Sequence, residues 1–164
     1  MEVLIQSLCL SIGVLGMSNS QEKRACRYMP TIVKESNRHN IDPAIFVALI
    51  YTESCFNPWE VSHANACGLT QVIPKWTGGK ASGRKKYTCK QLKNPYTSIK
   101  AGSRILAWWI KYAKGNVRNG LCGYNAGFKR CFSKNPKLNF RIYSNKVTRV
   151  AKKIRREMKK NKKN

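Results

Sequence analysis

Seven side chains in this 164-residue chain can carry a carboxylate: Glu2, Glu22, Glu35, Asp42, Glu53, Glu60 and Glu157. So short a roster lets acid/base chemistry be assigned by elimination. Glu2 lies in an apolar N-terminal run, and Glu22 and Glu157 stand at opposite, highly polar ends. Glu35 sits among Lys34, Ser36, Asn37 and Arg38, a solvated setting. Asp42 precedes Pro43, where its side chain serves as a helix cap. Glu60 follows Pro58-Trp59 in a loop with no expected burial. Glu53 alone closes a long apolar run, in line with Phe46, Leu49 and Ile50 at helical spacing. Burial there disfavours the charged form, and the negative end of the helix dipole adds to the effect. Each unit of pKa shift is about 1.4 kcal/mol between the two protonation states. A carboxyl that keeps its proton near neutral pH is a general acid of the kind that protonates a glycosidic oxygen.

Other chemistries find less support. His39 and His63 have no partners at ligand spacing, and no Cys-x-x-Cys pair occurs. Neither a metal nor a cofactor is expected. Six cysteines lie outside the apolar run: Cys26, Cys55, Cys67, Cys89, Cys122 and Cys131. An even set in a small exported chain reads as three disulfides, against the plainer reading of buried thiols in a cytosolic protein.

The elements that must position Glu53 follow from periodicity. Residues Val3 to Met17 form the apolar run, and Ser18-Asn19-Ser20 offers small residues before a cut at Gln21. The run lacks a basic start and is short for a membrane span. Residues 1–20 are therefore expected to be a secretory signal or a weak anchor, with a buried first helix as the third reading. Residues 21–164 form one domain, secreted or periplasmic. A helix is expected over Gln21 to Arg38, and Asp42-Pro43 opens a second that ends near Cys55. Helices joined by a short turn lie antiparallel, and Cys26 and Cys55 each stand about a dozen residues from that turn. Their pairing is the expected disulfide.

Val61 to Pro74 is a compact stretch of small residues, and Trp76 to Leu92 reads as a surface insertion. Helices are expected over Thr97 to Ala113 and over about residues 143–160. Of Trp108 and Trp109, at least one should pack in the core. Val117 to Gly127 is glycine-rich for a helix, which implies close approach of its backbone to something. The 42% hydrophobic content suffices for one core, and the architecture reads as mainly α, with no strand pairs.

Charge narrows the partners. Lys and Arg number 32 against seven acids, a net charge of +25 that attracts polyanions. The basic stretch from Arg149 onward suits anionic envelope or wall polymers, or is simply a solvated face; no specific nucleic-acid site and no oligomer are expected.

The motifs around Glu53 supply what composition does not. Glu53-Ser54, Asn57-Pro58, Ser62, Ala64, Ala66 and Gly68-Leu69-Thr70-Gln71, with Pro74 behind them, resemble the signature of the soluble lytic transglycosylase (SLT) domain family, which has a goose-type lysozyme-like fold. Asn94-Pro95, Ile99 and Ala101-Gly102 resemble its second motif. Gly123-Tyr124-Asn125-Ala126-Gly127 resembles its Tyr-Asn-Ala-Gly motif, and Tyr143 with Val147 its closing one. The resemblance implies that Glu53 is the acid and then the base. Ser62 would contact the acid or an acetamido group, and Gln71 would bind sugar. Tyr124 and Asn125 would line the cleft, Tyr143 would hydrogen-bond near the acid, and Gly68, Leu69 and Ala126 would shape the surroundings. Departures are Asn65 at a frequent Gly, Cys67 at a frequently polar position, Gly123 where Ala is usual, and Asn139 where a Glu often precedes the closing Tyr.

Glycosidases ordinarily use two carboxylates. None here is an evident partner for Glu53, and a substrate that supplies its own nucleophile removes the need. The resemblance implies non-hydrolytic cleavage of peptidoglycan glycan strands between N-acetylmuramic acid (MurNAc) and N-acetylglucosamine. The 6-hydroxyl of MurNAc would close a 1,6-anhydro end. A goose-type hydrolase using Glu60 and a noncatalytic cationic envelope or nucleic-acid binder are the alternatives. A phage lysis or virion enzyme and a bacterial wall-opening enzyme of a secretion or pilus system share these features.

Overall fold

The computed structural model describes residues 1–132 and 141–162. The described residues are helical with no strand, and extended backbone pairs only in two isolated bridges, Val61 with Cys67 and Cys67 with Val72. Helix α1 (Glu2–Ser11) and a following 3₁₀ turn lead into α2 (Asn19–Arg38). A reciprocal capping box starts α2: Ser18 Oγ accepts from Gln21 N–H, and Gln21 Oε1 accepts from Ser18 N–H.

Helix α3 (Pro43–Ser54) begins where Asp42 Oδ1 accepts from Ala44 N–H at 2.7 Å. Ala44 through Ile50 are all buried, so α3 runs through the centre of the core. It stops on two consecutive left-handed residues, Cys55 (φ +47°) and Phe56 (φ +59°). Each such non-glycine conformation costs roughly 1–2 kcal/mol. Enclosing the Phe56 ring completely contributes about 2–3 kcal/mol and offsets much of that. The chain thus reverses immediately after Glu53.

The segment expected as a surface insertion is only partly so. Tyr87 and the short α4 (Cys89–Leu92) join Cys67, Val72 and Ala101 in a second small core, and Leu92 is fully buried. A Cys67–Cys89 disulfide, Cα to Cα 5.5 Å, closes this 22-residue loop. Restricting the unfolded chain in this way contributes about 3 kcal/mol. The tip, near Gly79 and Gly83 to Lys86, is exposed, as are Trp76, Thr88, Lys90 and Gln91.

Helix α5 (Pro95–Tyr112) is capped by Asn94, and α6 (Val117–Cys131) by Asn116. The glycines of α6 lie directly on α5: a Cβ on Gly120 would strike Ile110, and one on Gly123 the Trp109 ring. That contact is the close approach implied by the composition. Trp109 is buried among Phe128, Phe132 and Tyr112, while Trp108 stays half-buried and stacks on Tyr112. Helix α6 continues past Gly127 (φ +72°), where it kinks, to Cys131, which pairs with Cys122. Helix α7 (Arg141–Asn161) lays Val147, Ala151 and Ile154 on α3 and α6.

Two expectations are corrected. Cys26 pairs with Cys9, Cα to Cα 5.3 Å, and Cys55 is unpaired and exposed. The apolar run folds as α1 against α2 and α7, with Leu8 and Ile12 fully buried, and so brings Cys9 to Cys26. Helix α2 also extends back to Asn19, which puts Cys26 two turns inside it rather than at its end. Glu35 is buried rather than solvated, 2% exposed, because it continues the inward face of Tyr28 and Ile32. Arg38 Nη1 reaches its Oε1 at 3.4 Å. No helix among the described residues is long and apolar enough to cross a membrane.

Candidate active site

Glu53 occupies the last turn of α3, partly buried, one residue before Ser54. Ser54 Oγ donates to the Leu69 carbonyl at 2.8 Å and so ties the helix end to the 68–71 loop. Fully buried Leu69 anchors that loop. Beneath it, Thr70 N–H donates to Ser98 Oγ at 3.1 Å, and Thr70 Oγ1 donates to the Ser98 carbonyl at 2.9 Å. Gly102 of α5 leaves the room that the Thr70 side chain fills.

Two tyrosines close on this frame. Tyr143, in the first turn of α7, donates its hydroxyl to Glu53 Oε1 at 2.5 Å. Tyr124, from α6, donates to the Thr70 carbonyl at 2.7 Å. Burial holds the Glu53 carboxyl up at about 7, against the opposing pull of the Tyr143 hydrogen bond and the Lys146 charge. Burial first, then the Glu53 carboxylate, pushes both phenols above their ordinary range. They remain neutral hydrogen-bond donors around an acid poised to hold or release one proton.

The other expected site residues are distributed more loosely. Gln71 (φ +48°) spends its amide on the loop itself, donating to the Glu60 carbonyl at 3.1 Å and the Gly68 carbonyl at 3.0 Å. Ser62 Oγ accepts from Ala66 N–H at 3.1 Å and shapes the rim loop. Gly68 (φ +78°) passes over the Leu92 carbonyl too closely for any side chain, and its N–H donates to the Glu60 carbonyl. Asn125 is exposed beside half-buried Ala126. Position Asn139 lies outside the described residues. Glu60 itself is exposed, and its carboxylate accepts from Asn57 Nδ2 at 3.0 Å.

Several contributors were not singled out in the sequence. Lys146 stands one turn after Tyr143 and was legible from helical spacing alone. The Thr70–Ser98 clasp was not, because 28 residues separate its halves. Gln21 and Arg24 of α2 line a cavity of roughly 390 Å³ together with Glu53, Asn57 and Glu60. That neighbourhood depends on how α2 lies along α3.

The Tyr143 bond carries a prediction. It stabilises the charged carboxylate, so Tyr143→Phe raises the Glu53 pKa further. If protonated Glu53 is the active form, the alkaline limb of the kcat/KM profile moves to higher pH, while maximal kcat falls. An unmoved limb means that another group sets it.

A helical bundle presenting one proton-holding carboxyl under a loop clasp is a lysozyme-like arrangement. The family model described as the transglycosylase SLT domain matches residues 30–147, and the chain belongs to that family. It is 38% identical over 104 residues to membrane-bound lytic murein transglycosylase C of Haemophilus influenzae, covering 60% of this chain and 28% of that protein. Over 94 residues it is 38% identical to the protein of the same name from Glaesserella parasuis, covering 55% and 26%. The chain thus spans about a quarter of the length of these relatives. The 70 kDa soluble lytic transglycosylase of Escherichia coli shares the fold at TM-score 0.69 and 24% identity, over 80% of this chain and 24% of that one. An inactive mutant of lytic transglycosylase Slt from Pseudomonas aeruginosa does so at TM-score 0.56 and 22% identity, over 76% and 22%.

Proposed function

We propose that this protein is a peptidoglycan lytic transglycosylase acting outside the cytoplasm, with Glu53 as its single acid and base. The observation that carries the reading is a Glu53 carboxyl held at about 7 by burial and gripped by Tyr143. In its protonated form Glu53 gives its proton to the oxygen linking MurNAc to N-acetylglucosamine as that bond breaks. The substrate's acetamido group stabilises the sugar cation left behind. Glu53, now a carboxylate, takes the proton of the MurNAc 6-hydroxyl, whose oxygen bonds to C1. The products are a 1,6-anhydro end and a free N-acetylglucosamine hydroxyl, with no water consumed and the enzyme's proton restored.

Gln71, Ser62 and Asn125 border the strand in this reading, and Tyr124 and Thr70 form its floor. The exposed basic residues of α7, among them Arg149, Lys152, Lys153 and Arg156, would hold the enzyme near anionic wall or envelope polymer. It would act as a monomer. One observation favours a second reading: Glu60 borders the same cavity as Glu53 and could orient a water for hydrolysis. Mass spectrometry of digested murein decides between them. Anhydro-muropeptides are expected, and reducing muropeptides in their place would make this a goose-type hydrolase.

A further inference from the structure

The cavity beside Glu53 contains two polar groups that the proposed reaction leaves idle. Arg24 is half-buried on α2, makes no ion pair among the described residues, and leaves its buried Nε–H without an acceptor. Thr52, the residue before Glu53, likewise leaves a buried Oγ1 without a partner. A helical threonine ordinarily turns its hydroxyl back to the carbonyl four residues earlier, and Thr52 does not. Both residues line the same cavity as Glu53. Buried donors with nothing to bind are costly, and two in one cavity mark a place that an acceptor fills.

The acceptor's charge follows from Arg24. A guanidinium is permanently charged, and its planar fork matches a carboxylate. Neither Glu53 nor Glu60, which line the same cavity, forms an ion pair with it. The sugars of a murein strand are neutral; its anions are carboxylates borne on the lactyl ether of MurNAc, either directly or through the stem peptide. Arg24 lies on α2 ahead of the segment matched by the family model, residues 30–147. We infer that Arg24, with Thr52, forms a carboxylate-binding subsite that selects MurNAc-borne acid groups beside the scissile bond. This deepens the transglycosylase reading and rests on it.

The test uses the full chain carrying Glu53→Gln, so that ligand is bound and not cleaved. Three tetrasaccharides of alternating N-acetylglucosamine and MurNAc are titrated by calorimetry: one with free lactyl carboxylates, one with lactyl methylamides, and one bearing stem peptides. Adding Arg24→Gln should weaken the carboxylate ligand by at least about tenfold, as expected for a charge-assisted hydrogen bond, and leave the methylamide unchanged. Thr52→Val should give a smaller loss with the same selectivity. A loss confined to the peptide-bearing ligand assigns the carboxylate to the stem, and a loss on the denuded ligand assigns it to the lactyl group. Equal binding before and after Arg24→Gln, or equal losses on all three ligands, overturns the inference. Thermal melts of each variant confirm folding. The two readings fail separately: if Glu53 is no catalyst, the wild-type chain leaves murein intact whatever Arg24 binds. If Arg24 binds no carboxylate, Arg24→Gln in the otherwise unchanged enzyme cleaves murein with its KM unaltered.

Discussion

Glu53→Gln is expected to lower the kcat for murein cleavage by about 10⁴-fold while making the folded protein more stable above pH 7. A single general acid/base typically contributes 10²- to about 10⁴-fold. Here one carboxyl serves both the bond-breaking and the ring-closing step, which places the loss at the upper end. Glutamine keeps the shape and can still accept the Tyr143 hydroxyl, so the fold should survive. The stability gain follows from proton linkage. The folded pKa, about 7, lies above the ordinary 4.5, so the folded state holds a proton that the unfolded state releases between those values. Below pH 4.5 both states are protonated and Glu53 imposes no penalty. As pH rises from 4.5 to about 7, stability is lost at about 1.4 kcal/mol per unit, to a total of roughly 2–3 kcal/mol at this partly exposed rim that stays constant at higher pH. The variant cannot ionise and escapes the loss. Its melting temperature relative to wild type should therefore climb by about 8 °C between pH 4 and pH 8. A constant difference across that range would show that Glu53 titrates as an ordinary solvated acid, and retained cleavage would remove it from the chemistry.

Gly68→Ala should produce the largest loss of stability among conservative changes. The residue sits at φ +78°, which costs an L-alanine roughly 1 kcal/mol, and its Cβ would drive into the Leu92 carbonyl. That obstacle is backbone, capped by Thr88 and fixed by the Cys67–Cys89 disulfide, and it cannot swing aside like a side chain. Displacing it adds about 2 kcal/mol of overpacking strain. Together these lower the melting temperature by about 10 °C. Activity at permissive temperature should also fall, because the 68–71 loop holds Gln71, Thr70 and the Leu69 carbonyl that restrains Ser54 beside the acid. A melt within 2 °C of wild type, on the order of 1 kcal/mol or less, would mean that the loop relaxes freely.

Much of the architecture was legible along the chain because its signals are local. Asp42-Pro43 starts α3, Asn94-Pro95 starts α5, and both act within one helical turn. The unbroken apolar stretch from Ala44 to Ile50 could only be a central helix. The glycines of α6 announced a close neighbour without naming it. With so few acids, elimination together with the motifs around it pointed to Glu53, although the elimination misplaced Glu35, whose carboxyl is also buried.

What depended on approach between distant segments was not legible. Cys9 meets Cys26 because α1 folds onto α2, and no local pattern distinguishes that partner from Cys55. Glu35 turns inward although its sequence neighbours are polar, because burial follows helix phase rather than adjacency. Tyr143 reaches Glu53 across 90 residues, a contact that only the family resemblance implied, and Arg24 comes to share its cavity from the first long helix. The linear chain thus determined which residues could act and the helices that carry them. Only tertiary packing decided how deeply Glu53 is desolvated and which groups share its cavity, since solvent exclusion depends on the elements that converge on a point.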